Sequence, residues 1–248
     1  MKNSKLVFTF LICILFFSCN EQESYWIDFY WKSSKMGGVN YKKAAIFVDF
    51  SLEDENCNFS SQLDTGSTTF FKDSIINSYL KYHPQLNSEI DSINIRSVLN
   101  GNKVKYALRN ISLNFSDTLL KAKKINFYPK ARKSYDSLFF KKNKAHLGTL
   151  GIDLFRDKTL IIDYPKERFT LLNQIPAKYV KDKIIELELD QLGRVYFPIY
   201  LTKEKYLIMY DTGSSIFPLI THNEKFWKSL LKENSKIDSL KVNSFGKL

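Results

Sequence analysis

The chain has 248 residues, of which 44% are hydrophobic and 15% aromatic, and its formal net charge is +11 at pH 7. This composition excludes an intrinsically disordered chain, and the length allows one large domain or two small ones with a sizeable core. The positive charge is interspersed with acidic residues and has no nucleic-acid-binding signature beside it, so we expect a solvated lysine-rich surface and no nucleic-acid partner.

Residues 1–18 predict a secretory signal peptide. Two lysines give a basic start, and residues 6–17 form an apolar run that is too short to cross a bilayer comfortably. The run ends just before Cys19, and residues 16–19 resemble a bacterial lipobox. That resemblance implies that Cys19 is lipidated and that the protein is a membrane-anchored, extracytoplasmic lipoprotein of a bacterial cell envelope, either periplasmic or surface-exposed. An ordinary signal peptide followed by a chance cysteine is the alternative.

Residues 19–42 would then be a lipid-anchored tether followed by an added strand in the aromatic run 25–31. Cys13 would leave with the signal peptide and Cys19 would carry lipid, which leaves only Cys57 and no possible intramolecular disulfide. We expect Cys57 to be a small buried hydrophobic residue of a strand.

The sequence Asp-Thr-Gly-Ser occurs twice, at residues 64–67 and 211–214, 147 positions apart. Each copy follows a predicted β-hairpin rich in β-branched and aromatic residues, which delivers the aspartate from the end of its second strand. A short apolar stretch and then a helical pattern follow each copy. A single copy would most simply be a turn, but two copies in matching surroundings form an internal repeat of one supersecondary unit. The predicted hairpins cover 44–63 and 194–210, and the helical patterns cover 74–80 and 226–231.

Three segments between the two copies carry further signals. Residues 98–104 are centred on an Asn-Gly pair with apolar flanks, which predicts a tight hairpin turn. Residues 146–155 contain the apolar-glycine pair Leu150-Gly151, and the run 158–172 follows them.

Taken in this order, the two Asp-Thr-Gly-Ser copies and the Leu150-Gly151 segment resemble the aspartic proteases of the pepsin and retropepsin type, and most of all the retropepsin-like proteins of bacterial surfaces. The resemblance covers residues 43–231, and it implies that residues 158–172 form the hairpin that ends the first lobe. It implies a mostly β fold with two acid-protease-like β-barrel lobes related by a pseudo-two-fold axis. The first lobe would comprise residues 43–175 and the second residues 176–248.

The resemblance also implies a role for each residue of the motifs. Asp64 and Asp211 would form a catalytic dyad, and the segment with Leu150 and Gly151 would run beside the first Asp-Thr-Gly loop and close the lobe. The other motif residues would support the dyad: Thr65 and Thr212 through hydrogen bonds across the axis, Ser67 and Ser214 by donating to the carboxylates, and Gly66 and Gly213 by permitting a tight turn and close approach.

Peptide hydrolysis requires an activated water molecule and a proton for the leaving nitrogen. Two close carboxyls resist double ionisation, so one stays protonated while the other acts as a base, and aspartic proteases are the usual example of such a pair. The sequence therefore favours an extracytoplasmic aspartic endopeptidase that acts on a peptide or protein substrate without a cofactor. The resemblance also implies that the hairpin at 98–104 covers the substrate as a flap, with Tyr106 as its aromatic residue or, more simply, as a core or surface tyrosine.

Other chemistries have little support in the sequence. The histidines His83, His146 and His222 are scattered and lack the spacing of a zinc site, so we expect no metal and a structural role for His146. The chain has no serine-nucleophile elbow and no glycine-rich phosphate loop.

The second lobe is shorter than the first. Gly151 comes 87 positions after Asp64, whereas 37 positions follow Asp211 and hold no second apolar-apolar-Gly segment. We therefore expect an incomplete second lobe, with three explanations. The chain is part of a longer protein, a homodimer or second chain completes the lobe, or the protein is a non-catalytic surface lipoprotein whose protease-like β cleft only binds peptides.

Overall fold

The computed structural model describes residues 25–53, 58–97, 101–116, 118–127, 133–180, 185–201, 203–217, 219–221, 223–232 and 234–236. The expected signal peptide, Cys19 and Cys57 lie outside the described residues. Within this part the fold is mostly β.

Thirteen strands and four α-helices form the described part of the chain. The strands are β1 (Ile27–Met36), β2 (Val39–Leu52), β3 (Phe59–Asp64), β4 (Phe70–Phe71), β5 (Ile90–Ser97), β6 (Gly101–Phe115), β7 (Thr118–Phe127), β8 (Ala145–Gly151), β9 (Thr159–Asp163), β10 (Arg168–Leu172), β11 (Glu188–Leu189), β12 (Val195–Leu201) and β13 (Glu204–Met209). The helices are α1 (Asp73–Tyr82), α2 (Ser137–Lys142), α3 (Ala177–Val180) and α4 (Glu224–Leu230), with short 3-10 turns at Pro84–Glu89, Ile152–Phe155, Tyr164–Lys166 and Thr212–Ser214.

Ten strands form one large mixed sheet in the order β5-β6-β7-β4-β8-β3-β2-β1-β10-β9, and β2 also pairs with β6. Two neighbouring pairs run parallel, β3 beside β8 and β4 beside β7, and the others are antiparallel. The remaining strands form a separate antiparallel sheet in the order β11-β12-β13. The first Asp-Thr-Gly-Ser copy therefore leaves the large sheet and the second leaves the small one.

Both hairpins predicted before the motif copies are confirmed. β2 pairs with β3 through partners that include Phe47 and Gln62, and β12 pairs with β13 through partners that include Tyr196 and Met209. Both predicted helices are confirmed as α1 and α4, and the predicted hairpin at 158–172 is confirmed as β9 and β10.

The aromatic run near the start of the described chain forms β1, as predicted. β1 is inserted between β2 and β10 and pairs antiparallel with both. It thus joins the hairpin of β9 and β10 to the strands that carry the first aspartate.

The core sits against one face of β3 because apolar residues alternate along this strand. Phe59 and Leu63 are completely buried, whereas Gln62 and Asp64 belong to the other face and are partly exposed. Tyr79 of α1 packs edge-on against Phe59 with a ring-centroid distance of 5.2 Å. Each such buried side chain contributes about 1.5–3 kcal/mol of stability, so Asp64 stands at the end of a strand that is firmly held.

The hairpin predicted at 98–104 is present as β5 and β6, which pair as far as Ser97 and Gly101. Its turn residues 98–100 lie outside the described residues. Tyr106 is partly buried and packs edge-on against the buried ring of Phe127 at 5.6 Å, which favours a structural role beside the core. None of the described helices is both long and apolar enough to span a bilayer.

Candidate active site

Asp64 and Asp211 each stand at the end of the second strand of a hairpin. Asp64 is the last residue of β3, which lies between β2 and β8 in the large sheet. Asp211 is the second residue after the end of β13, and it caps the start of the 3-10 turn Thr212–Ser214. The structure brings these two loops together, although they come from different sheets.

Thr65 and Thr212 join the two loops through four reciprocal hydrogen bonds. The amide of Thr65 donates to Oγ1 of Thr212 at 3.0 Å, and the amide of Thr212 donates to Oγ1 of Thr65 at 3.1 Å. The Thr65 hydroxyl donates to the carbonyl of Tyr210, and the Thr212 hydroxyl donates to the carbonyl of Leu63, both at 2.9 Å. Both threonines are buried, so these bonds are shielded from water, and we call them the threonine joint.

Gly66 and Gly213 let each loop approach the aspartate of the other. A β-carbon on Gly66 would lie 2.5 Å from Cγ of Asp211, and one on Gly213 would lie 2.3 Å from Cγ of Asp64. Real β-carbons do not come so close to another heavy atom, so both positions require glycine for the observed packing.

The two carboxyl groups interact with each other and with the backbone of their own turns. Oδ1 of Asp64 accepts from the Gly66 amide at 3.0 Å, and Oδ1 of Asp211 accepts from the Gly213 amide at 2.8 Å. Burial raises the pKa of Asp64 to about 6, and the negative charge of Asp211 and a hydrogen bond with its side chain act in the same direction. The Gly66 amide favours the ionised form and opposes these effects.

The Leu150-Gly151 segment runs beside the first aspartate loop, as the resemblance implied. β8 is parallel to β3, with Leu150 opposite Leu63 and Gly151 opposite Asp64. A β-carbon on Gly151 would lie 2.3 Å from the backbone of Thr68, so the loop packs directly on this glycine. The segment therefore packs against the Asp64 loop and supports it.

Asp153 also supports the first loop, and sequence reasoning missed it. Its Oδ1 accepts from the amide of Thr69 at 2.6 Å and from the Thr69 hydroxyl at 2.8 Å. The same hydroxyl accepts from the amide of Gly151 at 2.9 Å. This chain of bonds connects the segment after β8 to the loop after β3, and the position of Asp153 two residues beyond Gly151 was the available signal.

The Ser67 hydroxyl departs from the expected pattern, and the expectation for the Ser214 hydroxyl stays a prediction. The Ser67 hydroxyl donates to the carbonyl of Thr68 at 3.1 Å, so its proton is not directed at Asp64. The backbone amides of Ser67 and Ser214 donate to the carbonyls of Asp64 and Asp211 at 3.3 Å and 3.4 Å, which closes both turns. The turn geometry of the two motif copies is thus alike.

A cavity of about 560 Å³ borders the threonine joint, with Thr65 and Tyr210 in its wall. Tyr210 shares a hydrogen bond of 2.5 Å with the hydroxyl of Tyr164, and burial together with this bond raises the pKa of Tyr210 above its usual range. Neither Asp64 nor Asp211 lines the described wall of this cavity.

The described residues contain no cluster of three or more side chains that could hold a metal ion. Nδ1 of His146 lies 3.2 Å from the carbonyl oxygen of Ser60. Burial, and after it the charges of Lys72 and Lys32, lower the pKa of His146 to about 4, so the ring is neutral at pH 7.

The chemistry available at this site is that of a paired carboxyl. Two adjacent carboxyls can share one proton, and such a pair can in general supply both an acid and a base. Neither any protein-family model nor any curated protein matches the chain. The geometry of the two aspartates is accordingly the basis on which its function is proposed.

Proposed function

We propose that this protein is an aspartic endopeptidase that hydrolyses peptide bonds with Asp64, Asp211 and an activated water molecule. The observation that carries the proposal is that Asp64 and Asp211, from two copies of one motif, each pack against the glycine of the other copy in loops joined by Thr65 and Thr212. Structural turns alone would not require two carboxyls to meet, because like charges placed together are unfavourable unless they share a proton.

In the proposed reaction, ionised Asp211 takes a proton from a water molecule that attacks the peptide carbonyl carbon. Protonated Asp64 donates a hydrogen bond to the carbonyl oxygen as negative charge develops there. The tetrahedral intermediate then collapses, the C–N bond breaks, and the amide nitrogen leaves with a proton from the pair. The pair holds two protons while the tetrahedral intermediate exists and one proton before and after the reaction, so the cycle closes without another proton donor.

The finer architecture belongs to the same proposal. We propose two acid-protease-like lobes, residues 43–175 and 176–248, related by a pseudo-two-fold axis that passes through the threonine joint. The reciprocal bonds of Thr65 and Thr212, and the matching contacts of Gly66 and Gly213, support this relation. A lipid anchor at Cys19 and an extracytoplasmic location complete the proposal, on the strength of the signal-like sequence of residues 1–19.

The test is hydrolysis of a mixed peptide library at pH 3–8 by the purified protein and by Asp64→Asn, Asp211→Asn and Asp91→Asn. Asp91 is a matched control because it lies on β5 and is paired with Arg109, away from the motif copies. We expect cleavage by the wild type and the control, loss of cleavage with either motif substitution, and inhibition by statine-type transition-state mimics. Full activity in Asp64→Asn or Asp211→Asn would refute the proposal.

The competing function is peptide binding without hydrolysis by a surface lipoprotein. The hydroxyl of Ser67, which is turned toward Thr68 and away from Asp64, favours this reading. Peptides retained by the wild-type protein with no cleavage at any pH would establish it in place of the endopeptidase.

A further inference from the structure

Gln62 connects β3 directly to the loop of the second aspartate. Its side-chain amide, through Nε2, donates to the carbonyl of Gly213 at 3.0 Å, across 151 residues of sequence. Gln62 lies two residues before Asp64 on the partly exposed face of β3, while Ser61 and Leu63 are buried on the other face. The glutamine side chain therefore reaches out of the same strand face that carries Asp64.

Gly213 contacts both carboxyls as well as Gln62, so it can transmit a change at Gln62 to the positions of both carboxyls. Its amide donates to Oδ1 of Asp211 at 2.8 Å, and its α-carbon packs so closely on Asp64 that a β-carbon would lie 2.3 Å from Cγ. Its carbonyl accepts the hydrogen bond from the Gln62 side chain. A shift of Gly213 would thus move Asp211 relative to Asp64.

The second motif copy has no equivalent donor. Met209 occupies the matching position, two residues before Asp211, and it pairs with Tyr196 of β12 as Gln62 pairs with Phe47 of β2. A methionine thioether cannot donate a hydrogen bond. The two motif copies are therefore equivalent at Thr65 and Thr212, but the strands that precede them differ at Gln62 and Met209.

We propose that Gln62 is a positioning residue that fixes Gly213, sets the spacing of the Asp64 and Asp211 carboxyls, and thereby sets the pH range of hydrolysis. This inference rests on the proposed endopeptidase function and deepens it. The spacing matters because the repulsion between two charges rises steeply as they approach. Arg194 also interacts electrostatically with Asp211, and it forms an ion pair with Asp190 at 2.5 Å.

The first test replaces Gln62 by the residue that the other motif copy carries. Gln62→Met removes the donor and keeps a long side chain, and Met209→Leu is the matched control at the equivalent position of the other hairpin. We expect Gln62→Met to lower kcat about 10-fold or more with KM changed less than about 2-fold, because small misplacements of reacting groups are costly. We also expect the pH at which its activity falls on the alkaline side of the rate profile to shift by about half a pH unit or more. The control should change neither quantity.

A second variant keeps the inference testable if Gln62→Met does not fold. Gln62→Glu retains the size of the side chain, and its carboxyl can donate to Gly213 only while protonated, near or below a pH of about 4.3. We expect kcat of Gln62→Glu to approach the wild-type value at pH 4 and to fall faster than the wild type as the pH rises. A merely structural role would lower activity at every pH alike.

Titration of the Asp64 carboxyl by carbon-13 NMR separates failure of this inference from failure of the endopeptidase function. This measurement needs no substrate and no turnover. If no form of the protein cleaves peptides but Gln62→Met still displaces the Asp64 titration, the positioning role stands and the endopeptidase function fails. If Gln62→Met leaves both the titration and the pH profile of the wild type unchanged, the positioning role is refuted.

Discussion

Gly213 packs directly against the carboxyl group of Asp64, so closely that a β-carbon on the glycine would lie 2.3 Å from Cγ of the aspartate. Gly66 has the same relation to Asp211, at 2.5 Å. Each carboxyl therefore rests on the backbone of the opposite motif copy. The two loops can meet in this way only because both residues lack a side chain.

Gly66→Ala and Gly213→Ala should each push the two loops apart. We expect either substitution to abolish hydrolysis and to lower the free energy of unfolding by about 1–3 kcal/mol, as overpacking does elsewhere. Urea denaturation and peptide cleavage measure the two effects. Gly38→Ala is the control, since its β-carbon would meet no atom within 4 Å, although its φ of +81° makes alanine strained there. That control should lose some stability and keep its activity, and an active Gly213→Ala would contradict the close packing.

The pH dependence of hydrolysis should follow the proton on Asp64. Burial and the neighbouring Asp211 charge raise the pKa of Asp64 to about 6. Above this pH Asp64 loses its proton and both carboxyls carry charge, so kcat/KM should fall about tenfold per pH unit. Initial rates between pH 3 and pH 9 would measure the fall, and a rate that stays constant up to pH 8 would exclude Asp64 as the proton donor.

Asp64→Asn should stabilise the protein at neutral pH. The pKa of Asp64 is raised from 3.8 to about 6 on folding, so between these values the folded state binds more protons than the unfolded state. The stability that the aspartate contributes is therefore lost as the pH rises through about 6. We expect Asp64→Asn to melt at a higher temperature than the wild type at pH 7.5, with a smaller difference at pH 4. Thermal melts at the two pH values measure it, and equal differences at both would count against the linkage.

The threonine joint should be cooperative. Thr65→Val leaves the Thr212 amide and the Tyr210 carbonyl without their hydroxyl partner, and Thr212→Val has the reciprocal effect. We expect each substitution to lower the free energy of unfolding by about 1–3 kcal/mol, because buried polar groups lose their partners.

The double variant should lose less than the sum of the single losses, since both side chains bond to the backbone of the opposite loop and hold the same two loops together. Urea denaturation of the four proteins gives this coupling. Thr65→Ser keeps a hydroxyl and should retain most of the stability. Strict additivity would mean that the two threonines act independently, contrary to the reciprocal hydrogen bonds.

Asp153 should matter for stability although it lies outside both motif copies. Asp153→Ala removes the acceptor of the Thr69 amide and hydroxyl, and Thr69 is completely buried. We expect a loss of about 1–3 kcal/mol in the free energy of unfolding, and a smaller loss in Asp153→Asn, which keeps a carbonyl acceptor. Asp28→Ala is an exposed control on β1. An Asp153→Ala protein as stable as this control would show that the bonds to Thr69 are weak.

The sequence was informative where local patterns repeat. Each hairpin has its own alternation of apolar residues, and each ends in the same four-residue motif, so the strands that deliver Asp64 and Asp211 could be predicted. The Leu150-Gly151 segment was found through its resemblance to a known motif. The mostly β fold followed from the aromatic and β-branched runs.

The missed contacts depend on side chains that meet across long stretches of sequence. Asp153 forms hydrogen bonds with Thr69, 84 positions away in sequence, and Gln62 donates to the Gly213 carbonyl, 151 positions away. In sequence both look like polar residues of a turn and of an exposed strand face. The Ser67 hydroxyl has several acceptors within reach of one turn, so residue type alone could not predict that it donates to Thr68.

The two hydrogen-bonded threonines are 147 positions apart, so the ribosome makes the first motif copy well before the second. At about 5–20 residues per second, roughly 7 to 30 s separate translation of the first motif copy from translation of the second. Throughout that interval the growing chain holds a single motif aspartate, and the proposed hydrolytic pair does not exist. Under the proposed function, hydrolysis can therefore begin only after the second loop has been translated and has docked on the first.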